Sequence, residues 1–310
     1  MIGGDCMELP VIVAPMFLIS TPKMVIESSK AGMVGSFPLL NARPVSECAK
    51  WLEEIKEALP TEPWAVNFIC HERENARYEE DFRLIKEYQP PIVITSLGNP
   101  APVVEAVHAY GGKVFADVIY VKHAKKAAMA GVDGLVLVTA GAGGHGGTLN
   151  PFAFISEVRA FFDGIVCLAG TISTGADIVA ARLMGADYAY IGTRFLTAAE
   201  GNSPDEFKDM VIESQIEDIV YTDAFSGVHA NYLIPSLIKN GIDPRNLQSK
   251  GKLDFSVMTD AKAWKDIWSA GQGVGSVKKR QTVAEIAAEL REQMEAAIEK
   301  AGTLLSKENV

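Results

Sequence analysis

Cysteine is scarce and scattered in this 310-residue chain: Cys6, Cys48, Cys70 and Cys167 are all there are. No two stand in Cys-x-x-Cys spacing, which argues against a redox dithiol or a zinc knuckle and suits reduced thiols in a cytoplasm. No His, Cys or carboxylate pair has metal-ligand spacing either, so no metal is expected. Basic residues are outnumbered, 29 Lys and Arg against 39 Asp and Glu, for a net charge of −10. That balance speaks against a nucleic-acid surface and against a basic membrane anchor. No apolar run approaches the roughly 20 residues that span a bilayer. No charged start followed by an apolar stretch opens the chain, so no secretory signal is expected. A P-loop phrase is missing, which argues against a nucleotidase of that type, and no Ser-His-Asp arrangement is suggested.

What is present is a repeating alternation. Short apolar, β-branched runs occupy residues 11–17, 33–39, 64–70, 91–97, 113–119, 134–139, 164–169 and 188–195. Each is nearly continuous rather than alternating, as parallel strands covered on both faces read. Between them, residues 22–30, 45–58, 75–88, 102–110, 123–130, 151–162 and 174–184 carry helical period. Glycine follows several of these helices, as at Gly131-Val132-Asp133 and Gly185-Ala186-Asp187, where it supplies the left-handed cap before the next strand. Eight such units predict an α/β fold, a (β/α)8 TIM barrel; a doubly wound open sheet is the alternative. The barrel is expected to take residues 1–200 and a terminal helix at about 276–305. Residues 201–275 would form an extension over the active-site face. Thr282 and Glu285 have capping-box spacing for that last helix, and residues 241–256 read as irregular.

Residues 139–147 read Thr-Ala-Gly-Ala-Gly-Gly-His-Gly-Gly, directly after the sixth strand. Glycines let backbone N–H groups approach a flat or anionic ligand, and His145 is the one side chain there that exchanges a proton near neutral pH. The bland reading is a flexible turn with a solvated imidazole. The phrase Gly141 to Gly146 also fits Gly-x-Gly-x-x-Gly. A dinucleotide fold would need an acidic strand end about 20 residues on, and the stretch around Glu157 reads as helix instead. After the seventh strand come Gly170, Thr171, Ser173 and Thr174; at the end of the eighth come Gly192 and Thr193. Barrels often bind phosphate there; the alternative is tight strand–helix packing with helix capping by Ser173 or Thr174.

The phrase Ala142-Gly143-Gly144-His145-Gly146-Gly147, with Leu168-Ala169-Gly170 and Ile191-Gly192-Thr193-Arg194-Phe195, resembles the nitronate monooxygenase family. That family includes FMN-dependent NAD(P)H:quinone reductases and flavin enoyl-acyl-carrier-protein reductases. The likeness runs from Pro10 to about Phe195, with an echo at Ala270 to Gly275. It implies one FMN, its phosphate on Gly170, Thr171, Gly192 and Thr193. Ala14, Pro15 and Met16 would line the ring, with Asn67 close by and the backbone of Gly143 and Gly144 against it. His145 would stand beside the substrate. The sequence departs from the family where a lysine after strand five faces the flavin: Asp117 stands there, with Lys122 or Gln272 as substitutes.

The resemblance therefore implies an FMN-dependent oxidoreductase that oxidises small alkyl nitronates with O2 to a carbonyl compound and nitrite. Two alternatives stay open: NAD(P)H-dependent reduction of a quinone or enoyl thioester, and a flavin-binding barrel without turnover. Expected partners are a small-molecule substrate, a nitronate or quinone, with O2 and, in the reductase reading, NAD(P)H. No nucleic acid or membrane is expected, and a homodimer is compatible with the sequence. Lesser candidates are His71 with Glu72, and His229 near Asn231 and Tyr232. His123 is expected to set the strand-five turn and His108 to sit on a helix surface.

Overall fold

The computed structural model describes residues 9–73, 75–251 and 266–307. Cys6 and residues 252–256 of the expected irregular stretch lie outside them. Eight parallel strands form the barrel: β1 Val11–Val13, β2 Gly35–Pro38, β3 Trp64–Ile69, β4 Ile92–Ser96, β5 Lys113–Val118, β6 Gly134–Val138, β8 Ile165–Ala169 and β9 Tyr188–Ile191. They pair in the order β1-β9-β8-β6-β5-β4-β3-β2. The ring closes through a single parallel bridge between Ile12 and Val34. Here Val13 N–H donates to the Val34 carbonyl and Val34 N–H to that of Val11, both at 2.9 Å. The barrel is packed, not hollow: Ile12, Val34, Ile94, Phe115, Val136 and Cys167 fill its interior. Inward side chains from both sides of the ring need this filling, because eight strands leave room for side chains only.

Helices α1 Pro22–Lys30, α2 Val45–Ala58, α3 Tyr78–Tyr88, α4 Ala101–His108, α5 Val121–Met129, α6 Pro151–Arg159 and α7 Gly175–Leu183 follow the first seven barrel strands. Their buried faces and the outward strand residues make one continuous core. The eighth barrel helix does not follow β9 directly. After a 3₁₀ turn at Thr193–Phe195, the chain makes α8 Asp205–Glu213, β10 Ile219–Thr222, β11 Ala230–Leu233 and α9 Ile234–Lys239. Only then does α10, Val283–Lys307, pack against α7 and α1 and complete the helical ring. Gly175 allows that contact, since a Cβ there would lie 2.3 Å from the Met294 backbone nitrogen. Arg194 ties the turn to α10: its Nη2 donates to Gln281 Oε1 at 2.6 Å and lies 3.3 Å from Glu289. The arginine of the Gly-Thr-Arg-Phe phrase is thus buried structural mortar.

Three of the boundaries that differ from the sequence reading do so for a clear local reason. The first strand stops at Val13, because residues 14–20 fold into a turn. There Ser20 Oγ takes the Met16 N–H and Asn41 Oδ1 takes the Leu18 N–H, both at 2.9 Å. The eighth strand stops at Ile191, and Phe195 lies in the 3₁₀ turn, its N–H donating to Gly192 at 2.8 Å. Helix α3 starts at Tyr78 rather than 75, because Asn75 uses its amide on the Ile69 carbonyl and the Arg77 N–H.

The repeated Gly-x-Asp turns share one mechanism. Asp133 Oδ2 accepts the Val114 N–H and Asp187 Oδ2 the Val166 N–H, each at 2.8 Å. Each carboxylate therefore satisfies the amide of the second residue of the strand before it in the sheet. Each also holds a side chain on a preceding helix, His108 at 2.8 Å and Arg159 at 2.6 Å. Among the described residues no helix is long and apolar enough to cross a membrane.

Candidate active site

The loops after the strands surround a cavity of about 850 Å³. Its lining includes Ala14, Pro15, Met16, Asn67, Asp117, Gly143, Gly144, His145, Gly170, Thr171, Gly192 and Thr193. Two expected residues stand apart. Lys122 is outside the lining, its ammonium 5.4 Å from the centre of the Tyr120 ring. His123 and Lys126 of the same helix line the cavity instead. Gln272 also lies outside it with an exposed side chain, and contributes its backbone, donating to Gly141 at 2.9 Å. His229 is exposed and stacks on Tyr221, ring centres 5.0 Å apart. His71 is not in the lining.

The glycine loop is not bare. Gly144–His145 forms a short strand, β7, that pairs antiparallel with β11, His145 opposite Ala230 and Gly144 opposite Asn231. With β10 this makes a three-stranded sheet over the barrel mouth. Side chains stitch it down. Asn231 Nδ2 donates to the Ala142 carbonyl at 2.7 Å, Tyr221 to that of Gly146 at 2.9 Å, and Ser269 Oγ accepts the Gly144 N–H at 2.7 Å. The extension thus fixes the position of His145. The imidazole Nε2 lies 3.1 Å from Ser226 Oγ. Burial pushes His145 down to about 4, so it is neutral at pH 7.

Asp117 lines the wall at the end of β5 and, among the described residues, is the only carboxylate in the lining. Ser96 Oγ donates to its Oδ2 at 2.5 Å, and Asn67 Nδ2 donates to Ser96 at 2.7 Å and to the Ile94 carbonyl at 3.1 Å. Burial raises Asp117 to about 6; the Ser96 bond offsets only part of that cost. Asp117 Oδ1, Tyr190 Oη and Ser173 Oγ are buried lining atoms with no protein hydrogen-bond partner. A buried polar atom left so costs about 1–3 kcal/mol, and a ligand carrying complementary donors and acceptors would recover it. Leu18, Leu97 and Thr171, all in the lining, hold left-handed φ of 63°, 55° and 61°. Strain of this kind gathers where a ligand is gripped.

The region after β8 divides its groups between two tasks. Asp177 Oδ2 takes the N–H groups of Ser173 and Thr174 at 3.0 and 2.9 Å, and Thr174 caps α7. Those two amides and the Thr174 hydroxyl serve the helix, so the capping account holds for them. Gly170, Thr171, Gly192 and Thr193 remain at the cavity wall. Thr193 Oγ1 accepts the Gly271 N–H at 2.8 Å, which leaves its own proton to donate. Among the described residues no cluster of three or more His, Cys, Asp or Glu side chains could hold a metal.

Ser226, Ser96 and Tyr190 were missed in the sequence. Ser96 and Tyr190 sit within apolar strand runs, where only barrel register shows that they face inward. Ser226 is 81 positions from His145, a separation no local pattern bridges.

The two partly buried groups have opposite effects on pH stability. Asp117 is raised from 3.8 to about 6, so the folded state binds more protons and loses stability as pH climbs from about 4 to 6. His145 is lowered from 6.5 to about 4, so the unfolded state binds more protons and stability is lost as pH falls across that window. Each contribution is at most about 3 kcal/mol, and in the wild type they largely cancel. Relative to wild type, Asp117→Asn should gain stability from pH 4 to 6, and His145→Asn should lose it. Denaturant unfolding at four pH values measures both slopes; equal slopes in all three proteins would refute the assignment.

The family model described as nitronate monooxygenase matches residues 37–293. A nitronate monooxygenase of Paraburkholderia phytofirmans is 26% identical over 284 residues, covering 77% of each chain. Among solved structures, nitroalkane oxidase from Streptomyces ansochromogenes matches with a TM-score of 0.81 at 19% identity, over 96% of this chain and 99% of that one. FabK from Thermotoga maritima matches with a TM-score of 0.78 at 21% identity, over 96% of both chains. At these identities the two structures establish the TIM-barrel fold.

Proposed function

This chain belongs to the nitronate monooxygenase family, and from that membership we propose that it uses FMN and O2 to oxidise small alkyl nitronates to a carbonyl compound and nitrite. It is an oxidoreductase; the substrate and the flavin are the proposal. The observation that carries it is the position of His145, a half-buried imidazole held by a dedicated sheet over a largely apolar cavity.

The lining suits FMN. Gly143, Gly170 and Gly192 put backbone where side chains would block a flat ring or a phosphate. Thr171, Thr193 and the unpartnered Ser173 hydroxyl offer donors to a phosphate. Ala14, Pro15 and Met16 supply an apolar wall, and Asn67 a polar one. When bound, FMN supplies the two-electron redox chemistry and the reaction with O2.

The chain's own residues bind and orient. A neutral His145 with a conjugate acid near 4 is a weak base for a carbon proton at neutral pH. That favours a preformed nitronate over a neutral nitroalkane. An anion beside the ring stabilises the imidazolium, so His145 takes up a proton from solvent as the nitronate binds and holds the anion by a charge-assisted hydrogen bond. Asp117, once ionised, repels further negative charge from its part of the wall.

The purified protein should be yellow and release FMN on denaturation. Under anaerobic conditions nitronate should bleach the flavin, while NADH and NADPH should not. Rapid bleaching by either pyridine nucleotide would establish the reductase alternative, and a colourless protein that takes up no FMN would overturn both.

A further inference from the structure

The mouth of the barrel carries a carboxyl that no cation balances. Asp117 ends β5 half-buried at the cavity wall, with its Oδ2 accepting from Ser96 and Ser96 accepting from Asn67. These three residues stand on β5, β4 and β3, neighbours in the ring. Burial raises Asp117 and only the Ser96 bond lowers it; among the described residues no lysine or arginine offsets its charge. His123 and Lys126, in the lining from α5, act on each other instead. The titratable groups that feel Asp117 are Cys70 just after β3, Cys167 on β8 and Tyr190 on β9. Burial pushes Cys70 up to about 12 and the other two well above their usual ranges, so all three stay neutral. Asp117, raised to about 6, is the member of this group that changes charge near neutral pH.

Strand order says what this carboxyl meets. In the closed ring β4 lies four strands from β9, and β3 four from β8. The groups that suit a phosphate, Gly170, Thr171, Gly192 and Thr193, follow β8 and β9. A cofactor anchored there carries its ring across the mouth toward β3, β4 and β5. A flavin ring is apolar along its dimethylbenzene edge and polar along its pyrimidine edge. Ala14, Pro15 and Met16 after β1 match the first edge, and Asn67, Ser96 and Asp117 match the second.

We propose that Asp117 governs the charge of the reduced cofactor: it keeps a second negative charge off the polar edge of the ring, so that two-electron reduction is completed by two protons rather than one. Two electrons and one proton turn the oxidised ring into an anion, with the charge on the pyrimidine edge. Two electrons and two protons give a neutral ring. Beside an ionised Asp117 the anion would set two like charges together in a site of low polarity. A second proton, drawn from solvent, removes one of them, whether it settles on the ring or on the carboxylate. The electrons come from the nitronate in turnover and from dithionite in a titration.

This proposal rests on the FMN reading and is independent of the substrate. Two measurements on the holoprotein test it without turnover. Sulfite forms an S–N bond at the ring N5 and leaves its electron pair as negative charge on the pyrimidine edge, with no proton required. Wild type should therefore bind sulfite weakly, and Asp117→Asn about tenfold more tightly or better, the scale of one opposed charge in a partly buried site. Asp117→Glu keeps the charge and should stay near wild type. Between about pH 7 and 9 the two-electron potential should fall by about 60 mV per pH unit in wild type and about 30 mV in Asp117→Asn, at about 30 mV for each proton taken up. The same sulfite affinity in wild type and Asp117→Asn would overturn the proposal, as would a one-proton slope in wild type. A protein that takes up no FMN would overturn it together with the cofactor reading. The expected differences in a flavoprotein that nitronate does not reduce would count against the nitronate reading alone.

Discussion

His145→Asn should leave FMN bound and lower nitronate turnover by about a hundred- to ten-thousand-fold, the range that a positioned acid–base group contributes. The backbone of residue 145 is held by pairing with Ala230, which the substitution leaves untouched. Asparagine keeps a hydrogen-bonding side chain of similar reach, so the lining changes little in shape. What is lost is the capacity to take up a proton when an anion arrives. The loss should therefore appear in kcat/KM and be accompanied by a changed dependence on pH. In wild type, nitronate affinity should rise as pH falls toward the His145 value of about 4, because proton uptake and anion binding are linked. The other ionisable groups in the lining, Asp117, Tyr190, His123 and Lys126, are common to both proteins, so the difference between the two profiles isolates His145. Stopped-flow flavin reduction by nitronate measures both quantities. Wild-type kinetics in His145→Asn would remove the role assigned to it.

Gly271→Val should yield a colourless or weakly yellow protein. Gly271 has an ordinary φ of −87°, so the reason is space and not backbone strain. A Cβ there would lie 2.6 Å from the Gly141 carbonyl oxygen, 2.9 Å from the Gly143 nitrogen and 3.1 Å from Thr193 Oγ1. The first two neighbours are backbone and cannot rotate away. They belong to the loop after β6, while Thr193 follows β9, so one added methyl drives apart both candidate cofactor-binding loops. Overpacking of this kind costs about 1–3 kcal/mol for one methylene and more for a branched side chain. Gly144→Ala is the control. Its φ is 70°, but nothing lies within 4 Å of its Cβ, so only backbone strain of about 1 kcal/mol is expected. Bound FMN per protein, read from the absorption spectrum, separates the two. Full flavin occupancy in Gly271→Val would show that the contact among these loops does not hold the cofactor.

Much of the barrel was readable because its rules are local. Continuous apolar runs mark strands buried on both faces, and α1 and α2 begin and end where helical period says. The glycine after a helix, followed by aspartate, marked turns whose carboxylates the structure shows at work on Val114 and Val166. Gly170, Thr171, Gly192 and Thr193 could be placed together by counting strands, since loops at one end of a parallel barrel must converge. Boundaries went astray where a side chain outcompeted the backbone, as Asn75 does at the start of α3.

By itself, then, the sequence determined the strand–helix alternation and placed His145 and the glycine phrases at one end of the barrel, because periodicity and glycine placement act over a few residues. Only the tertiary structure decided that the final helix closes the barrel after a long excursion. The same holds for the excursion's sheet that pins the glycine loop, for Lys122 standing outside while Asp117 faces in, and for Ser226 touching His145. Those outcomes depend on register and on contacts between residues far apart in the chain, such as the 81 positions between Ser226 and His145, and no local pattern carries such a distance.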